Sequence, residues 1–119
     1  MSVVTVKRVD VTRIINEDPW SLVLTHYTGS TETQSTLAGR VFPATGRAYV
    51  SAMTSAQLRG ETPLASVQWL ALVAWDAADF ATGDRVKATH TESGITHTFD
   101  VVMQNKYPYK KEILLDERK

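Results

Sequence analysis

Hydrophobic and polar residues alternate along much of this chain with a period of two, the signature of strands that bury one face. From Ile95 the apolar Ile95, Phe99, Val101 and Met103 share one parity, and Thr96, Thr98 and Asp100 take the other. Just before it, Val86 and Ala88 alternate with Arg85, Lys87 and Thr89, and Thr91-Glu92-Ser93-Gly94 supplies a short turn. Together these segments predict a hairpin. Trp20, Leu22 and Leu24 alternate with Ser21, Val23 and Thr25, which predicts a strand running to Tyr27 after the break at Asn16-Glu17-Asp18-Pro19. Leu37–Phe42, closed by Pro43, is a further short strand, with Arg47–Val50 as its continuation or a separate strand.

Three stretches follow other rules. Val67–Trp75 is apolar on both parities, which predicts a strand covered on both faces, with a buried helix as the alternative. Lys111–Leu115 predicts a last strand, and residues 112–119 include a charged tail. The β-branched run over residues 1–16 predicts an extended arm or edge strand. The polar tract Ser30–Thr36 reads as an exposed loop or bend, and residues 43–66 as a long loop excursion. The expected fold is therefore all-β: one domain over residues 1–119, a small barrel or sandwich of about five to seven short antiparallel strands.

Composition narrows the function classes. Thirteen basic and thirteen acidic residues cancel, so no net field gathers nucleic acid or an anionic membrane. The absence of cysteine excludes disulfides, thiolate nucleophiles and cysteine-type zinc sites. The longest apolar stretch, Leu70–Trp75, is far shorter than the roughly 20 residues a membrane helix needs, which suggests a protein made in the cytoplasm without a membrane partner.

Chemistry-bearing residues are sparse. His26, His90 and His97 invite a metal reading, but their spacing lacks a third ligand; His97 shares the parity of Ile95 and Phe99, which predicts a partly buried imidazole satisfied by a neighbour. Asp76, Asp79 and Asp84 surround one turn without the calcium-loop pattern, and aspartates there more often bond their own backbone. No framed nucleophile or glycine-rich phosphate loop is present, so no catalytic residue, metal or cofactor is expected. A small metal-dependent enzyme using His90, His97 and Asp100 is a weak rival. So is a single-stranded nucleic-acid-binding barrel stacking bases on Trp20, Tyr27 and Phe42.

In order, Asp18-Pro19 leading into Trp20–Leu24, the long polar middle, the apolar strand Trp69–Trp75, the turn Gly83-Asp84 and the closing segment Tyr107–Leu115 resemble the head-to-tail stopper, or head-closure, proteins of long-tailed bacteriophages. The resemblance covers residues 17–115 and rests on order and length, not on one diagnostic residue. It implies a β-barrel subunit of a homo-oligomeric ring of roughly six copies in the virion neck. The ring would sit between the portal and adaptor proteins and the tail terminator or tail tube, retaining packaged double-stranded DNA without sequence specificity. The middle excursion would enter the channel, with Arg47, Thr54, Gln57 and Arg59 as channel-loop residues and Arg40 also facing phosphates. Val4 and Val6 of the arm, with Lys106, Tyr107 and Tyr109, would contact neighbouring subunits. A tail terminator is the nearest alternative.

Overall fold

A computed structural model of the chain describes residues 2–43 and 69–118. One helix, α1 (Val3–Glu17), precedes six strands: β1 (Trp20–Thr28), β2 (Thr31–Pro43), β3 (Trp69–Ala74), β4 (Arg85–His90), β5 (Thr96–Tyr107) and β6 (Lys110–Glu117). The strands close into an antiparallel barrel in the order β1-β2-β3-β6-β5-β4, so no sheet edge is left open among the described residues. Of the all-β barrel and sandwich expected from the alternation, the chain forms the barrel.

The barrel interior is filled by the residues whose parity marked them. Trp20, Leu22 and Leu24 of β1, Val86 and Ala88 of β4, Phe99 and Val101 of β5, and Ile113 and Leu115 of β6 belong to one buried cluster. The apolar run at Trp69–Ala74 is a strand: Ala71 and Val73 enter that cluster, while Leu72, of the opposite parity, is buried with α1. The alternation of β5 breaks at a bulge between Val101 and Met103, where Val101 pairs with Leu115 and Met103 with Leu114. Met103 therefore leaves the lumen-facing set in which its parity placed it, and Ile95 is exposed in the turn before β5.

The N-terminal arm is corrected to a helix. Ser2 caps it, its Oγ accepting the Thr5 N–H at 3.1 Å. Val11 and Ile15, one turn apart, bury against Leu72, with Ile14, Phe42 and Tyr109 packed around them. Burial of this stripe outweighs the weak helix propensity of valine, which is what suggested an extended chain. Arg40 of β2 donates from Nη1 to the Ile14 carbonyl at 3.0 Å, satisfying an orphan acceptor in the last helical turn. Arg40 is thus tied to α1.

Two other boundaries move. The polar tract Ser30–Thr36 is, from Thr31 on, the first half of β2, paired with β1 from Thr28↔Thr31 to Val23↔Thr36 across a turn in which Gly29 takes φ 61°. The charged tail is largely strand: β6 runs to Glu117, and the Arg118 N–H donates to the Thr98 carbonyl at 2.8 Å. The excursion at residues 43–66 and the strand suggested at Arg47–Val50 lie, beyond Pro43, outside the described residues.

Candidate functional site

The two ends of the barrel differ. The connection from β3 to β4 caps one end: Phe80 enters the core cluster, its N–H donates to Gln104 Oε1 at 2.9 Å, and Thr82 Oγ1 donates to the Val102 carbonyl at 2.8 Å. Asp84, almost fully buried, accepts from the Ala81 N–H at 3.0 Å and from His26 Nδ1 at 2.9 Å. The buried Lys111 ammonium donates to the Ala77 carbonyl and, at 2.8 Å, to Asp79. Asp84 thus bonds backbone and histidine, Asp79 bonds lysine, and no cluster of metal-ligating groups forms among the described residues.

The Lys111 ammonium and the Gln104 amide hold the Asp79 carboxyl below the usual carboxylate range. Charged Asp79 therefore contributes stability at neutral pH that is lost as pH falls through its lowered pKa. Because its side chain is 67% exposed, Asp79→Asn is expected to cost less than about 1 kcal/mol at pH 7. The gap should close in strong acid. Urea unfolding of both proteins at neutral and acid pH checks this, and a difference that persists in acid would refute the assignment.

The other end holds a pocket of about 370 Å³ lined by Asp18, Trp20, Val41, Pro43, Trp69, His90, Ser93, Ile95 and His97. Alternation puts them there: Trp20 opens β1, Trp69 opens β3, His90 ends β4, and His97 pairs with the interior Ala88. The rings touch in sequence, Trp20–His90 at 4.9 Å, Trp20–His97 at 6.1 Å, Trp69–His97 at 5.2 Å and His97–Phe99 at 5.9 Å between centroids. Trp20 Nε1 is buried without a hydrogen-bond partner among the described residues. Pro43 and Trp69 are register partners, so the chain leaves the barrel and re-enters it at this mouth.

Each histidine here is held by a carboxylate. His97 Nδ1 donates to Glu117 Oε2, which confirms the partly buried, satisfied imidazole that its parity predicted. His90 Nε2 donates to Asp18 Oδ1 at 2.5 Å, and its Nδ1 accepts from Ser93 Oγ at 2.7 Å, the tautomer being assigned from these partners. The resulting Ser93–His90–Asp18 chain has the residue types of a hydrolase triad, yet it is built as a turn clamp. The Ser93 N–H points to His90 Nδ1 at 3.3 Å, the Ile95 N–H to Ser93 Oγ at 3.3 Å, and the Gly94 N–H to the His90 carbonyl at 2.8 Å. None of these three amides is left for an oxyanion. The chain of contacts joins the end of α1 to the β4–β5 turn, reinforced by the Thr91 N–H on the Pro19 carbonyl at 3.1 Å.

The residues singled out in the sequence are distributed unevenly. Asp100 does not join His90 and His97; it lies 3.6 Å from the Arg118 guanidinium. Trp20, Tyr27 and Phe42 form no common stacking platform, since Trp20 is interior, Phe42 packs beside α1 and Tyr27 sits at the far end of β1. Arg47, Thr54, Gln57 and Arg59 lie outside the described residues. Val4 and Val6 sit on α1, and Lys106, Tyr107 and Tyr109 at the β5–β6 turn, and the fold joins the two groups into one surface. Arg8 Nε donates to the Pro108 carbonyl at 3.0 Å, Lys7 Nζ lies 4.6 Å from the Tyr109 ring centre, and Arg8 stacks 3.5 Å over Trp75. Val3, Val6 and Val9 face outward beside this seam. Glu117 and Asp18 are the histidine partners that sequence reasoning did not find; neither stands in a motif with its histidine, from which it is 20 and 72 residues away.

The described residues define a closed six-stranded antiparallel barrel with an external N-terminal helix. Comparisons with protein-family models, with curated proteins and with solved structures find no match. No helix among the described residues is long and apolar enough to cross a membrane.

Proposed function

We propose that this chain is a non-enzymatic structural subunit of the neck of a long-tailed bacteriophage. In this reading it forms a ring between the portal and adaptor proteins and the tail, and the ring retains packaged DNA and receives the tail. The observation that carries the reading is the asymmetry of the barrel. One end is capped by the chain's own Phe80 connection, while residues 44–68 begin and end at register partners on the other, Pro43 and Trp69. A barrel sealed at one end by its own chain presents two unlike ends, as a subunit placed between a head and a tail requires. The outward valines of α1, continuous with the Tyr107 and Tyr109 turn, supply apolar surface of the kind a neighbouring copy would cover.

Electron microscopy of particles produced with and without the chain tests the proposal. Emptied heads beside complete, unattached tails are the expected result. Normal heads with overlong or ragged tails would transfer the assignment to a tail terminator, and unchanged virions would overturn the neck reading.

A further inference from the structure

We propose that the pocket at this barrel mouth binds an organic cation, a guanidinium or alkylammonium group, between its aromatic walls and beside the Asp18 carboxylate. The inference rests on the pocket and is independent of the ring. Trp20, Trp69 and His97 offer π faces along the 370 Å³ space, and indole is the ring that attracts a cation most strongly. Asp18 lines the same space, and Glu117 stands behind His97 with its side chain 27% exposed. Each carboxylate spends one oxygen on its histidine and keeps a second. Among the described residues the lining offers the Asp18 carboxylate and no lysine or arginine.

The arrangement is also preorganised. His90 is held from both ring nitrogens, by Asp18 and Ser93, and His97 is wedged between Trp20 and Trp69, so the walls keep their geometry without a ligand. The pocket volume exceeds what a guanidinium fills, which leaves room for the alkyl stem to lie along Val41, Pro43 and Ile95.

The test is a titration of the whole chain followed by the indole N–H signals in two-dimensional nuclear magnetic resonance. Trp20 and Trp69 report on the mouth, and Trp75, beneath Arg8 at the other end, is an internal control. Blocked arginine and spermidine serve as probes, with acetate as the anionic control. Saturable shifts of Trp20 and Trp69 with a Kd of about millimolar are expected, while Trp75 stays still. Tighter binding of blocked arginine would mark a protein side chain as the source of the cation, and tighter binding of spermidine a free amine. Asp18→Asn and Glu117→Gln, each tested singly and checked for an unchanged amide spectrum elsewhere, should weaken binding roughly tenfold. No saturable shift up to about 50 mM would overturn the proposal, as would equal shifts with acetate or affinity retained in both variants.

Discussion

Phe99→Ala is expected to destabilise the barrel by about 3–5 kcal/mol, read as the change in urea midpoint at constant slope. Phe99 is fully buried at the centre of the lumen, with Trp69 at 5.6 Å and His97 stacked at 5.9 Å. The size of the loss follows from how little the surroundings can collapse. The six strands are hydrogen-bonded all the way round, so they cannot close inward without breaking a ladder. Removing the ring also strips one face from His97, whose other contacts line the open mouth. Phe99→Leu, which keeps most of the volume, should cost less than about 1.5 kcal/mol. A loss below about 1 kcal/mol for the alanine variant would mean that the lumen repacks, and would undercut the description of the mouth as a preorganised pocket.

What the sequence discloses about this fold depends on how many faces of each element are wet. Strands β1 and β4 carry one dry face, so their alternation identifies the lumen residues directly, as at Leu22 and Val86. Strand β3 is dry on both faces because α1 covers Leu72, and its continuous apolar run says so. The first half of β2 is wet on both faces, so nothing apolar marks it, and only its ladder to β1 makes it a strand. The helix is the hardest case: Val9 and Val11 alternate with Arg8, Asp10 and Thr12 as strand residues would, yet Val9 is exposed and Val11 buried, and the true signal is the one-turn spacing of Val11 and Ile15 behind a Ser2 cap.

The site was legible in the same partial way. The parity of His97 places it inside, and that is where it lies. Its partner Glu117 comes from a strand whose register against β5 is interrupted by the Val101/Met103 bulge, and a register shift leaves no trace in residue types. His90 and Asp18 meet because a helix end and a hairpin turn converge, a contact across long sequence separation that no local pattern encodes.

Gly39→Ala is expected to cost roughly 1–3 kcal/mol although it adds a single methyl group. Gly39 sits where three strands press together, paired with Trp20 of β1 on one side and Val73 of β3 on the other. A Cβ there would lie 2.7 Å from Leu22 Cδ1, 2.9 Å from the Leu72 carbonyl oxygen and 3.1 Å from Val73 Cγ1. Leu22 can rotate at the expense of a fully packed interior, but the carbonyl belongs to the β3 backbone and moves only with the ladder. The missing side chain is therefore what lets β2 approach the interior closely at this point, the usual meaning of glycine within a strand. The backbone at Gly39 is not in the positive-φ region, unlike Gly29, Gly83 and Gly94, so the cost isolates steric crowding from conformational strain. Combining Gly39→Ala with Leu22→Val, which vacates the nearest contact, should restore less than the whole loss because the Leu72 carbonyl remains. Thermal or urea unfolding of both variants measures the split, and full recovery in the double variant would show that side-chain packing alone sets the requirement for glycine.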